Sequence, residues 1–440
     1  MKSTLPPLRP ALALALASCI SPVLQADENT GFMEDSHLTL NTINFLFYRN
    51  NLNNSGAQNY RKEWAQGLSL NFSSGYTQGL VGFGLDAYAQ LGLRLDSGKG
   101  TAGTGLLPIG DDGRAQADYS EAGGALKMRI SNTQLKYGNL TPLNPVFGTG
   151  SARLFTMQAN GFQLTSEEWA SLHLDMGHFT SGNDGASTND SGALKALYAG
   201  VETRSVDYLG GRYDVSDRLS LSLYGAEFAD IWRQYYTNVD YTWPLANNQS
   251  LNLDFNLYRT TDEGRALAGN IDNTTWSLSS SYRVGPQRFT LAYQQVDGNE
   301  PFDYLGFDRQ SGTSIFLANS VQIVDFNAPN ERSWQLRYDL DMAAFGVPGL
   351  TFMSRYVSGD HIDDSHYQGG ENAAYGRYGS DGKRWERDIE ARYVVQSGKA
   401  KDLSLRVRQA SLRSTAQVAQ ADTTDNNEIR LIIEYPLSFF

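Results

Sequence analysis

Apolar and polar residues alternate along most of this chain with a period of two. In the stretch 251–258, Leu251, Leu253, Phe255 and Leu257 alternate with Asn252, Asp254, Asn256 and Tyr258. The same pattern sets Trp64, Leu68, Leu70 and Phe72 against Ala65, Gly67, Ser69 and Asn71, and Val81, Phe83, Leu85 and Ala87 against Gly82, Gly84, Asp86 and Tyr88. It recurs in Leu126, Met128 and Ile130 against Lys127, Arg129 and Ser131, and in Trp334, Leu336 and Tyr338 against Gln335, Arg337 and Asp339. Leu403, Leu405 and Val407 against Ser404, Arg406 and Arg408 repeat it near the end. Successive side chains of a strand point to opposite faces, so this spacing predicts two-faced strands. Helical spacing of three and four dominates no comparable window, and the chain reads as all-β. The last residues obey the same rule: Ile429, Leu431, Ile433, Tyr435, Leu437 and Phe439 fall on every second position, with Arg430, Glu434 and Ser438 between them. The chain therefore ends on a strand with one oily face.

Connections between these strands come in two sizes. Short ones, built from turn formers, are Ser74–Thr77, Val215–Arg218, Pro244–Asn248, Val284–Gln287 and Gly346–Gly349. Long ones, rich in Gly, Asn, Asp and Ser, run over Gly98–Asp118, Gly138–Gln163, Thr180–Ala193, Asn299–Arg332 and Gly359–Lys383. Tight turns at one rim and long loops at the other are the pattern of an outer-membrane barrel, with short periplasmic turns and long extracellular loops. A hairpin of two such strands with one turn and one loop takes roughly 45 residues, so the chain has room for about nine hairpins, near 18 strands. The competing reading is a soluble sandwich or propeller with its oily faces packed together. Against it, aromatics gather at strand ends: Trp64, Tyr76, Tyr235, Tyr236, Trp243, Trp334, Tyr356, Trp385, Tyr393, Tyr435 and Phe439. Such girdles suit a membrane interface, and no blade-length repeat is present.

Composition bears on compartment more than on fold. The 440 residues show no Gly/Ser or charged linker between halves, and the 13 prolines are scattered, so one domain over 27–440 is expected. Residues 1–26 carry Lys2 and Arg9, an apolar run from Ala11 to Ala17 and a cleavable end at Ala26, the plan of a secretory signal. The one cysteine, Cys19, falls within it; Leu16-Ala17-Ser18-Cys19 also resembles a lipoprotein box, in which Cys19 would be lipidated instead. The mature chain then has no internal disulfide. Removing Lys2 and Arg9 from the 36 basic residues leaves 34 against 48 acidic ones, a net charge of −14, which argues against nucleic acid as a partner. Beyond the signal no apolar run reaches the 18 or so residues of a spanning helix. A mean hydropathy of −0.42 suits a barrel as well as a soluble protein, because half of each strand faces a polar lumen.

Several stretches together resemble the OprD family of Gram-negative outer-membrane porins, the substrate-specific channels of pseudomonads. They are residues 31–50, 63–100, 126–147, 207–236, 331–360 and the terminal strand, in family order over nearly the whole mature chain. The resemblance implies an 18-stranded barrel, monomeric or loosely trimeric, with two long loops folded inward to narrow the pore. It implies passive uptake of small carboxylate-bearing nutrients such as amino acids or aromatic acids. It also makes Phe440 similar to the C-terminal signature read by the barrel-assembly machinery. The surroundings expected are outer-membrane lipid and lipopolysaccharide.

A narrow carboxylate pathway needs positive side chains that replace hydration without binding tightly, and arginine suits it because its planar fork stays charged. The alternation puts Lys127, Arg129, Arg337, Arg355, Arg392, Arg406, Arg408 and Arg430 on lumen faces. Arg392, Arg406 and Arg408 most resemble the basic ladder of the family. The other role open to these cations is to balance Asp339, Asp388, Glu390 and Glu434 or to sit at the rims. Many relatives carry an arginine in the first strand where this chain has Thr42-Ile43-Asn44, so a shorter ladder is expected. The constriction is assigned to the segments Asn144–Gln163 and Asn299–Arg332. In the second, Asp303, Tyr304, Asp308 and Asp325 offer acidic groups and a hydroxyl that would favour a zwitterion, with solvated surface groups as the alternative. Arg153 in the first segment reaches the pore or caps the surface.

Signals of enzyme chemistry are weak. His37, His173, His178, His361 and His366 show no i, i+4 pair, there is no G-x-S-x-G elbow, and Gly82 and Gly84 lie within a strand as small wall residues. Neither a cofactor nor a metal is expected. The sequence thus predicts a carboxylate-selective diffusion channel, against a general or sugar porin and a plugged barrel with a surface-binding or hydrolytic role. A TonB-dependent transporter is not expected, since the length leaves no room for an N-terminal plug domain.

Overall fold

The alternation read from the sequence is that of the two faces of one closed sheet. The computed structural model describes residues 31–52, 58–150, 153–189, 191–307 and 310–440, the side chains of Gln310 and Ser311 excepted. The signal read at 1–26, with Cys19, lies outside them. The strands in chain order are β1 (His37–Asn51), β2 (Tyr60–Ser73), β3 (Gly82–Asp96), β4 (Asp118–Ile130), β5 (Thr133–Leu140), β6 (Gln158–Trp169), β7 (Leu172–Asn183), β8 (Leu194–Ala196), β9 (Glu202–Thr203), β10 (Val206–Ser216) and β11 (Leu219–Phe228). They continue with β12 (Trp232–Pro244), β13 (Ser250–Asp262), β14 (Asp272–Val284), β15 (Gln287–Asp297), β16 (Leu305–Phe307), β17 (Gln310–Ser311), β18 (Arg332–Asp341), β19 (Leu350–Ile362), β20 (Gly382–Val394), β21 (Ser404–Ser414) and β22 (Asn426–Ser438). Eighteen of them form one antiparallel sheet, and the short strands β8, β9, β16 and β17 form a separate four-stranded one.

Closure is made by the first and last strands of the barrel. β1 pairs with β2 on one side and with β22 on the other, from Thr39 opposite Ser438 to Asn51 opposite Asn426. A closed cylinder leaves no row of unpaired backbone groups, which an apolar surrounding would penalise heavily. The outer face carries the oily set, including Leu126, Leu223, Leu291, Leu336 and Val407, all exposed. Trp334, Tyr356 and Trp385 pack side by side on it, with ring centroids 5.7 and 5.9 Å apart. Two aromatics of the expected girdle depart from it. Tyr236 is buried on the inner face, its hydroxyl donating to Asn256, and Tyr76 lies under the Arg129 and Lys127 side chains.

The rim of tight turns and the rim of long loops are both present, with shifted boundaries. Gly138 and Gln158–Gln163 belong to strands, and the third long loop runs on to residue 205. Loops 141–157, 184–205 and 298–331 turn into the barrel. β8 and β16, from the last two of these, pair across the lumen side, Leu305 opposite Ala196. Their apolar residues Leu194, Phe302, Leu305 and Phe307 join Phe147, Phe179, Phe228, Trp232 and Tyr258 in a dry core inside the barrel. Loop 141–157 is stitched to loop 298–331 by Thr313 N donating to Gly148 O at 2.9 Å. At its far end Leu154 and Phe155 rest on the β2 wall. A Cβ on Gly67 would lie 2.7 Å from Ile43 Cγ2 and 3.1 Å from Phe155 Cε1, so the missing side chain there lets the loop lie flat.

Candidate permeation pathway

Strand register assembles the basic wall. Across β19, β20, β21, β22, β1 and β2 three inward rows run side by side. Nearest the loop rim stand Arg355, Asp388, Ala410, Glu428, Arg49 and Arg61. The next row is Met353, Glu390, Arg408, Arg430, Phe47 and Glu63, and the third is Thr351, Arg392, Arg406, Ile432, Phe45 and Ala65. Neighbours in a row are about 4.8 Å apart and rows about 6.8 Å apart along the strand, so the arginines make a near-continuous guanidinium surface.

Carboxylates are threaded through it. Arg408 Nε donates to Glu390 Oε2 at 2.5 Å, while Arg406 Nε stands 3.9 Å from Glu390 Oε1. That Arg406 Nε is buried and has no hydrogen-bond acceptor among the described residues. Arg392 Nε donates to Ser404 Oγ at 3.1 Å. Arg337 grips Asp339 through two bonds of 2.7 and 2.8 Å, and Arg355 pairs with Asp388. Of the eight expected basic residues, Arg337, Arg406 and Arg408 keep 36, 23 and 27% of their side chains accessible. Arg430 and Lys127 differ, being only 5 and 6% exposed. Arg430 donates through Nε and Nη2 to a single oxygen of Glu428, Oε2, at 2.9 and 2.6 Å. Lys127 is held by Asp86 and Ser73, both at 2.7 Å, with Lys136 on the second Asp86 oxygen. Lys127 and Arg129 lie on β4, away from the wall, over the Tyr76 ring at 5.1 and 4.4 Å.

Beside this wall lies a second group of cations, in which the sequence reading named Arg430 and Arg153 and missed Arg49. The guanidiniums of Arg430, Arg153 and Arg49 converge on the Phe47 ring, 4.4, 5.2 and 5.5 Å from its centroid, within cation–π range. The fully buried Glu428 serves both Arg49 and Arg430. Arg153 Nε donates to Thr104 O of loop 97–117 at 2.8 Å, and its contact with the Phe47 ring brings this loop residue to the inner wall. Burial and the nearby Arg430 push its guanidinium down, and Glu428 partly offsets them. Arg61 Nη1 donates to Gly103 O, and the buried Glu63 accepts Gly103 N, so both fasten loop 97–117. Arg49 lies on the first strand, above the Thr42-Ile43-Asn44 at which an arginine was sought. Its inward neighbours Ile43, Phe45 and Phe47 look lipid-facing in the sequence because loops cover them.

The acidic residues expected to face the ladder are placed otherwise. Asp303 is 4% exposed and turned into the loop core. It accepts Tyr198 N, Ala199 N and Tyr304 N at 2.8–2.9 Å and the Tyr375 hydroxyl at 2.9 Å. Burial outweighs these donors and pushes its carboxyl up to about 6. Tyr304, also buried, donates to Asp325 Oδ2 at 2.8 Å, as does Tyr198, while Ser320 donates to the other oxygen. Acids in a loop read as solvated groups, but here backbone N–H groups claim Asp303 and the hydroxyls of Tyr198, Tyr304 and Ser320 claim Asp325. Asp308 lies outside the described residues. The tip of loop 298–331 crosses the arginine wall instead: Ile323 N and Val324 N donate to the buried Glu386 at 2.8 and 3.0 Å, and Gln322 bridges Glu428 and Arg430.

Comparison with known proteins agrees with this architecture. The family model described as outer membrane porin, OprD family, matches residues 30–439. Porin D of Pseudomonas aeruginosa is 52% identical over 441 residues, covering 97% of this chain and 98% of that protein. The crystal structure of Pseudomonas aeruginosa OprD superposes with a TM-score of 0.82 at 50% identity, over 94% of this chain and 98% of that one. Pseudomonas aeruginosa OpdK, solved with vanillate, gives 0.81 at 33% identity, over 93% and 100%. With its closed barrel, inward loops and arginine wall, the chain belongs to the OprD family of outer-membrane porins and is a channel of the Gram-negative outer membrane.

Proposed function

We propose that this porin takes up small carboxylate-bearing nutrients, among them amino acids and aromatic or other organic acids, by passive diffusion along the arginine wall. The observation that carries the reading is the pair Arg406 and Arg408, adjacent on the wall with 23 and 27% of their side chains accessible and with Glu390 as their shared carboxylate. The guanidinium edges left open to the lumen can fork onto a passing carboxylate. Glu390 and Asp339 compete for the same guanidiniums, which keeps each step weak enough to release the substrate. They also offer an ammonium group a partner, which supports zwitterions among the substrates. OpdK, a relative, was solved with vanillate, an aromatic carboxylate.

The test is Arg406→Gln combined with Arg408→Gln, both in liposome uptake of amino and aromatic acids and in planar bilayers. Uptake and anion attraction fall while the folded yield stays the same. Unchanged conductance and uptake would count against the ladder. Sugar uptake that carboxylates do not compete with would identify a general or sugar porin, and silent insertion a plugged barrel.

A further inference from the structure

The outer wall carries two polar patches at one level, on either side of the seam where β22 meets β1. On β1 and β2, Asn44 stands directly opposite Gln66 and donates through Nδ2 to its Oε1 at 3.1 Å. The Trp64 indole donates to Asn44 Oδ1 at 2.8 Å, and Gln66 Nε2 turns back to Gly67 O at 3.1 Å. The alternate residues Phe45, Glu63 and Ala65 are buried on the inner face, so both carboxamides point outward. On β20 and β21 the exposed Arg387 donates to Gln409 Oε1 at 3.3 Å, and Gln409 Nε2 donates to Ser411 Oγ at 2.9 Å. Arg387 has no carboxylate partner among the described residues. Each patch lies two residues from a tryptophan toward the turn rim, Gln66 from Trp64 and Arg387 from Trp385. Tryptophans mark the membrane interface, so the patches share one depth just inside the hydrocarbon. Polar groups are expensive there when lipid is their neighbour, and after these bonds each carboxamide still has an N–H and an oxygen lone pair to offer.

We infer that the patches are the two halves of one contact between copies of this chain, Arg387 and Gln409 of one barrel meeting Asn44 and Gln66 of the next, and that the contact closes as a ring of three. Chemistry pairs unlike halves. A guanidinium only donates, so it finds acceptors on the carboxamide patch, whereas two Arg387 patches face to face would repel. The angle sets the number of copies. Eighteen strands share the circumference at about 20° each, and the patches, centred between β1 and β2 and between β20 and β21, stand three strands or about 60° apart. In a closed ring the two contact directions on one subunit diverge by half a turn less one full turn divided by the number of copies, which is about 60° for three and about 90° for four. Between the patches the exposed Leu405, Val407 and Leu431 then face the three-fold axis.

Cysteine cross-linking in isolated outer membranes tests the assignment. The chain's one natural cysteine is Cys19, which neither cleavage of the signal nor lipidation leaves as a free thiol. After oxidation, Gln66→Cys combined with Arg387→Cys gives covalent dimers and trimers and nothing larger, because the ring closes, while either single variant gives none. Asn44→Leu with Gln66→Leu puts apolar side chains on a lipid-facing wall and leaves the lumen untouched. In native mass spectrometry from mild detergent it lowers the ratio of trimer to monomer by about tenfold, as the loss of two hydrogen bonds at membrane depth implies, with the conductance of each barrel unchanged. A cross-link in Gln66→Cys alone, which means a two-fold dimer, or species beyond three, which mean an open chain, would overturn the inference. So would monomers alone in the double cysteine variant at wild-type yield, or a trimer ratio that the leucine pair does not move.

Discussion

The Arg384 guanidinium donates through Nε and Nη2 to the two carboxylate oxygens of Glu331 at 2.8 and 2.6 Å, a fully buried pair that ties β20 to the end of loop 298–331. Asp422 accepts from the third nitrogen. Breaking a buried pair by removing one partner typically costs about 3–5 kcal/mol, here partly offset by Asp422. Glu331→Gln should therefore loosen the loop without opening the barrel. Protease cleavage within residues 312–330 and noisier single-channel currents are the expected results; cleavage at the wild-type rate would show that the pair does not hold the loop.

Asp303 makes the docking of loops 184–205 and 298–331 depend on pH. Its carboxyl, pushed up to about 6 by burial, binds a proton more tightly when docked than when exposed. The stabilisation is complete below the ordinary carboxyl range and is lost as pH rises through about 6. It amounts to up to about 3 kcal/mol. Amide protection at Tyr198, Ala199 and Tyr304, corrected for intrinsic exchange, should be greater at pH 5 than at pH 7.5, and Asp303→Asn should abolish the difference. A wild-type profile flat between these values would refute it.

Glu428 is the carboxylate beneath the guanidiniums on Phe47. Glu428→Gln leaves Arg49 and Arg430 without it and raises the positive potential of the pore. Reversal potentials in a salt gradient should shift toward anion selectivity by roughly twofold or more in permeability ratio. An unchanged reversal potential would place this cluster off the ion path.

Phe440 stands at the turn rim, where its carbonyl accepts Leu38 N at 3.2 Å, while its side chain is largely exposed. Deleting it removes one backbone bond and, on our reading, the signal for assembly. Outer-membrane yield should drop while the barrel that does insert conducts normally. Wild-type yield would rule out the signal.

How much the sequence disclosed depended on which side of the wall was covered. Where the lumen side is wet, as in Leu403–Arg408, period-two alternation separates the faces and finds Arg406 and Arg408. Where a loop covers the inner face, the rule fails. On β1 the inward residues are Ile43, Phe45 and Phe47 and the outward ones include Thr42 and Asn44, so polarity points the wrong way and Arg49 is passed over. Glu63 and Glu386 were also passed over, because the backbone amides they accept from are 40 and 63 residues distant, and pattern along one strand carries no such information; Glu428 was passed over although Arg430 is its near partner, because its link to Arg49 spans 379 residues. Asp303 was found but misplaced for the same reason.

The seam between β1 and β22 joins residues almost 400 positions apart, as in Thr42 Oγ1 donating to Tyr435 O. No shorter piece of chain can complete the cylinder, so the earliest-made strand keeps a naked, sticky margin until the final segment has been synthesised and delivered. Biogenesis is then a race between suturing that margin and aggregation, and truncation anywhere upstream forfeits it.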